Sequence, residues 1–154
     1  MSTFPTRILL ATDGSEEAEL AALRAVELAD ATDSELHVVH VGVVPSFLQS
    51  YPGTLGYERR IYEQIEEMSR ELLRKESRRV KAAGGTVAGT HLRMGAVDLE
   101  IVVLAEELGA DLIVMGSRGL GGLRRALMGS VSDSVVRHAH CPVLVVRPEK
   151  GQAA

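Results

Sequence analysis

The sequence predicts a doubly wound α/β fold, a five-stranded parallel sheet with helices on both faces. Two observations carry that prediction. Short apolar runs of strand length alternate strictly with segments of helical period. The runs are also too continuously apolar for a sheet with one wet face, so both faces must be covered.

The elements follow in chain order. Ile8-Leu9-Leu10-Ala11 reads as the first strand, and Ala18, Ala22, Ala25, Val26 and Ala29 share one face of the helix after it. The second strand spans Leu36 to Val41. A long irregular stretch from Val43 to Gly56, with Pro45, Pro52, Gly53 and Gly56, then leaves the carboxyl end of that strand. It reads either as a flap over a site or as a surface excursion. The longest helix is expected from Tyr57 to Ala83, with Ile61, Ile65, Met68 and Leu72 facing inward. Glu58, Arg59, Glu66, Glu67, Arg70, Glu71, Arg74 and Arg78 form its solvated face. A weaker strand, Thr86 to Leu92, follows Gly84-Gly85, and Ile101, Leu104, Ala105 and Leu108 mark the next helix. Asp111 to Met115 is the fourth strand, a helix runs from about Gly129 to His138, and Val143 to Val146 is the last strand. With no internal repeat and no linker, residues 1–154 read as one domain.

Composition narrows the function classes. The 154 residues are 45% hydrophobic and 25% charged, as in folded globular chains. A net charge of −4 with no basic tail argues against nucleic-acid binding, and 3% aromatic residues argue against base-stacking platforms. The single cysteine, Cys141, cannot form an intrachain disulfide, which suits a reducing compartment. The apolar stretch at Ile8–Ala11 is too short for a signal-peptide core or a membrane span, so the expectation is a cytoplasmic protein without membrane contact.

The segment Gly116-Ser117-Arg118-Gly119-Leu120-Gly121-Gly122-Leu123-Arg124-Arg125-Ala126-Leu127-Met128-Gly129-Ser130 holds the most chemistry. It joins a very apolar strand to a helix. Glycines there let a phosphate approach backbone amides, and the first turn of the helix presents free N–H groups with the positive end of its dipole. Ser130 and Ser132 add hydroxyls, and Arg118, Arg124 and Arg125 add positive charge. No Lys-Ser or Lys-Thr pair follows Gly129, so this is not a P-loop, and Asp13-Gly14-Ser15 lacks the further glycines of a dinucleotide fingerprint. A glycine-rich connection without ligand is the bland alternative.

The spacing Gly116-x2-Gly119-x9-Gly129-Ser130 resembles the ATP-binding signature of the universal stress protein family. The opening Ile8-Leu9-Leu10-Ala11-Thr12-Asp13-Gly14-Ser15 is similar to that family's first strand and turn. The close, His138-Ala139-His140-Cys141-Pro142-Val143-Leu144-Val145-Val146, is similar too, and the likeness spans Arg7 to Arg147. It implies strand order 3-2-1-4-5, which sets Asp13 beside Gly116. It further implies an adenine nucleotide (ATP, ADP or AMP) and a role in stress response. Ala11, Thr12 and Asp13 would lie near ribose and phosphates, Val41 would meet adenine through its backbone, and Met115 and Gly116 would floor the site. Gly119, Gly129, Ser130, Val131 and Ser132 would hold the phosphates. Arg118 joins this set on charge and position alone. Magnesium bridging the phosphates would take Asp13 as a ligand, directly or through water.

Several residues carry a second reading. Asp13-Gly14-Ser15-Glu16 has the spacing of a capping box, which would make Asp13 a helix cap. Ser130 and Ser132 would equally serve as helix-start residues. His138, His140 and Cys141 are too cramped for tetrahedral zinc. His37 and His40 point to opposite faces of their strand and form no pair. The last strand would lie at a sheet edge, a liability unless covered, so a homodimer through it is expected. Catalysis is expected to be slow at most, because phosphoryl transfer needs a positioned nucleophile, a metal and cationic clamps, and Asp13 is the only evident base. The competing enzyme reading is an ATPase or self-phosphorylating protein using Asp13 with Ser130 or Ser132.

Overall fold

Ile8, Leu9 and Leu10 are wholly buried, which requires apolar cover above and below the strand that carries them. The computed structural model describes residues 4–45, 55–117 and 129–148. Along the chain lie β1 (Arg7–Ala11), α1 (Glu16–Thr32), β2 (Glu35–Val43), α2 (Leu55–Ala82), β3 (Val87–Gly95), α3 (Val97–Leu108), β4 (Leu112–Gly116), α4 (Ser130–His138) and β5 (Val143–Val146). The five strands pair in parallel in the order β3-β2-β1-β4-β5, as the resemblance implied.

Alternation along the strands divides the core in two. Ile8, Leu10, Leu36, Val38 and Val114 pack under α1 and α2 with Ala21, Ala22, Ala25, Leu73 and Val80. Leu9, Ala11, Val39, Val41, Ile113 and Met115 face α3 and α4 with Ile101, Leu104, Ala105 and Val135. Small alanines on α1 let that helix lie close to the sheet. Asp111, read from sequence as a strand residue, stands just before β4. Its carboxylate instead accepts the N–H groups of Thr6 (2.9 Å) and Arg7 (2.9 Å), tying down the entry to β1. The strand after Gly84-Gly85 is longer than expected and runs from Val87 to Gly95 along β2.

Two expectations need correction. Met68 is 74% exposed, so it does not belong to the inward face of α2. The buried stripe is Ser69, Leu73, Glu76, Ser77 and Val80, whose spacing keeps one helical face but includes three polar residues. Hydrophobic periodicity therefore set the face one position off. Asp13 is likewise not the cap of α1. Ser15 is, its Oγ accepting the N–H of Ala18 at 3.2 Å, with Glu16, Glu17 and Glu19 in the acidic first turn. Asp13 stops one step earlier, where its Oδ1 accepts the N–H of Ser15 (3.0 Å) and braces the turn.

Candidate functional site

Strand connections diverge between β1 and β4, and crevices in such sheets open at the carboxyl ends of the strands there. Leu10 is level with Val114 across this pair. Counting on from that register brings Thr12 and Asp13 beside Gly116 and Ser117. Gly14 lets the chain turn away with φ +80°, a region that favours glycine. Thr12 is buried and held from three sides. Its N–H bonds to the Val39 carbonyl (3.0 Å), His40 Nδ1 donates to its carbonyl (2.8 Å), and its hydroxyl donates to Glu76 Oε2 over a long 3.4 Å. Glu76 is itself buried on α2 and paired with Arg79 (3.2 Å). Sequence reasoning missed both His40 and Glu76 as supports of the β1 end. A charged residue on a helix dominated by charge gives no local sign that it points inward.

Beside this turn, β2 outruns β1. The Val39 carbonyl faces β1 to receive Thr12, so by alternation the N–H and C=O of Val41 face the same side. β1 has already ended at Ala11, whereas β2 continues to Val43. The Val41 backbone thus projects its donor and acceptor past the end of β1. Val41 was expected to end its strand; the two extra residues, Gly42 and Val43, come from continued pairing with Met94 and Gly95 of β3.

The other wall forms where β4 meets α4. Ser117, buried at 3% exposure, joins four elements. Its N–H bonds to the Val146 carbonyl of β5 (2.9 Å), and its hydroxyl donates to Glu17 of α1 (2.6 Å). Its carbonyl accepts the N–H of Gly129 (2.6 Å) and the Ser132 hydroxyl (2.7 Å). This pins the start of α4 to the end of β4. Gly129 is the N-cap and makes no side-chain capping bond, while Asp133 N–H takes the Gly129 carbonyl (3.0 Å). The N–H groups of Ser130, Val131 and Ser132 therefore lie in the first turn, where no intrahelical acceptor exists. Ser130 is exposed there; the proton of the Ser132 hydroxyl is already given to Ser117. Ala11 and Met115 are buried beneath, on the α3 and α4 side.

Gly116 has a second duty. A Cβ there would stand 3.0 Å from the backbone carbon of Glu17, so its missing side chain admits α1 against the end of β4. Arg118 and Gly119, and Arg124 and Arg125 with them, lie outside the described residues, as does most of the stretch from Val43 to Gly56. Asp98, in the first turn of α3, accepts the Ser134 hydroxyl at 2.7 Å and so fastens α3 to α4. That bond holds the Asp98 carboxyl below its ordinary value of 3.8. Burial, then the nearby Asp111 charge, pushes the Cys141 thiol up, as befits an inert thiol. Among the described residues no helix is long and apolar enough to cross a membrane.

Comparison with known proteins fits this geometry. The family model described as "Universal stress protein family" matches residues 5–147. A universal stress protein of Methanocaldococcus jannaschii is 38% identical over 144 residues, covering 94% of this chain and 83% of its own. A universal stress protein solved in complex with cAMP is 29% identical, with a TM-score of 0.66, covering 92% of this chain and 96% of that one. The universal stress protein of Archaeoglobus fulgidus solved with dAMP is 26% identical, with a TM-score of 0.65, covering 94% and 100%.

Proposed function

The chain belongs to the universal stress protein family, and on that premise we propose that it is a cytoplasmic regulatory protein of the stress response that binds an adenine nucleotide. The observation that carries this reading is the first turn of α4, anchored by Ser117 beside Asp13 and left without a side-chain cap. Three amides aimed out of one helix end, with the dipole behind them, suit a phosphate. The projecting Val41 backbone offers one donor and one acceptor, the pattern an adenine edge presents in complement. Relatives solved with cAMP and dAMP support the same ligand class.

In this reading Thr12 and Asp13 face the ribose and phosphates, and Ala11, Met115 and Gly116 floor the pocket. Gly129, Ser130, Val131 and Ser132 bind phosphate, Ser132 through its amide because its hydroxyl proton is engaged. Arg118 and Gly119 complete the loop. Magnesium, when the nucleotide brings it, would neutralise phosphate charge near Asp13. In this reading the protein acts by binding rather than by turnover, because phosphoryl transfer needs a positioned nucleophile, a metal and cationic clamps besides a base such as Asp13. Phosphate release that is fast and lost in Asp13→Ala would favour the enzyme reading instead. The outer edge of β5 is where a second copy would pair.

Thermal melting with ATP, ADP, AMP and cyclic AMP, with and without Mg²⁺, tests the proposal. A nucleotide at a hundred times its Kd adds about 2.7 kcal/mol. For a chain of this size that is a rise of about 5–10 °C. Gly129→Val should fold, because the glycine has φ −66° and ψ 159°, open to any residue. It should lose the rise, because its side chain enters the phosphate path. A full rise in that variant would put the ligand elsewhere.

A further inference from the structure

A pair of histidines at the amino-terminal half of the sheet takes no part in the nucleotide reading. His37 of β2 and His91 of β3 lie on the α3 side of the sheet. Their ring nitrogens, Nδ1 and Nε2, are 3.1 Å apart. The ring centroids are 5.3 Å apart and the planes tilted by 32°. Gly89, opposite His37 in the register, opens the space between them. A Cβ there would stand 3.0 Å from His37 Nδ1 and 3.2 Å from His91 Nε2. On the far side of His37, Glu35 Oε2 lies 3.4 Å from Nε2 and is itself held by Arg7 Nε at 2.6 Å.

We propose that His37 and His91 form a binding site for a divalent transition-metal ion, with Glu35 orienting His37 from behind. Two imidazole nitrogens bound to one tetrahedral zinc ion at 2.0–2.1 Å stand about 3.3 Å apart, and in a square-planar ion about 2.9 Å. The observed separation falls between these, so the two nitrogens already stand at the right distance, and binding has to turn the rings until both lone pairs converge on an ion beside the N···N line. The carboxylate behind His37 favours the tautomer with its proton on Nε2, which leaves the Nδ1 lone pair facing His91. This is the carboxylate–histidine–metal arrangement of known sites. Before binding, neutral His91 donates its single ring proton from Nε2 to His37 Nδ1; on binding, Nε2 gives that proton to solvent and Nδ1 takes one up, so His91 holds the ion as its Nδ1–H tautomer with no net change of charge. Among the described residues no group of three or more metal-ligating side chains occurs, so water fills the remaining positions, and the His37 side chain is 13% exposed.

Titration calorimetry of the full chain with ZnCl2 in a non-chelating buffer tests the site. The wild type should take one equivalent saturably. His37→Gln and His91→Gln should each abolish that binding, and Glu35→Ala should weaken it by about tenfold or more. Gly89→Ala removes no ligand but fills the gap between the rings, and should also abolish binding, which covers the case of a histidine variant that fails to fold. A His138→Gln/His140→Gln double variant should bind as the wild type does. No saturable binding by the wild type up to about 1 mM overturns the proposal. So does binding that survives in both folded histidine variants or in Gly89→Ala.

Discussion

Replacing Gly116 separates two duties that coincide at the end of β4. The sequence suggests a glycine that floors a phosphate pocket, whereas the structure also shows it receiving α1. A methyl group at Gly116 would sit 3.0 Å from Glu17 C, 3.0 Å from Glu17 Cβ and 3.1 Å from Glu17 O. Comfortable carbon contacts begin at about 3.5 Å, so α1 must retreat by about half an ångström for alanine and further for valine. The helix cannot retreat freely. Ala21, Ala22 and Ala25 are buried against the sheet, and Glu17 is bonded to Ser117. Overpacking of this kind costs about 1–3 kcal/mol. For a chain of this length, each kilocalorie lowers the melting temperature by about 2–4 °C. Gly116→Ala should therefore melt about 2–12 °C lower without any nucleotide, and Gly116→Val lower still. Urea unfolding of the ligand-free protein measures the same loss. An unchanged midpoint in Gly116→Ala, together with lost stabilisation by nucleotide, would refute the packing argument and leave the glycine to the ligand alone.

Other expectations follow from particular contacts. Ser15→Ala should cost about 1 kcal/mol of stability through loss of the α1 cap; Asp13→Ala should cost less but reduce stabilisation by nucleotide, and equal effects on both measurements would contradict the assignment. Asp98 has a depressed folded value, so the stability it contributes is complete above its ordinary 3.8 and is lost as pH falls through the lower folded value. Acid denaturation of Ser134→Ala should accordingly show a shallower loss below pH 3.8 than the wild type, and a parallel curve would dismiss the bond as a stabiliser. On β5, Ile113 N–H bonds to the Pro142 carbonyl and Ser117 N–H to that of Val146, so alternation turns the Val145 N–H outward. If two copies pair along this edge, sedimentation should give a dimer for the wild type and a monomer for a folded Val145→Pro; a monomeric wild type at micromolar concentration would end that expectation.

What the sequence determined by itself was the alternation of elements and the run of motifs. Unbroken apolar strands such as Leu9-Leu10 and Ile113-Val114 can exist only between two helical layers, so the architecture is written into local composition. Motif resemblance then supplied the strand order that sets Asp13 beside Gly116, which no periodicity contains. Tertiary structure decided which polar residues turn inward. Glu76 and His40 reach the end of β1 from other elements, Ser117 gathers α1 with its hydroxyl and β5 and α4 with its backbone, and Asp111 steadies the start of β1 from more than a hundred residues away. His91 meets His37 only because β2 and β3 pair with a shifted register between Leu36 and His37. A buried polar side chain is stable only when distant groups satisfy it. Its partners are therefore set by how the layers close, and no window of neighbouring residues can name them.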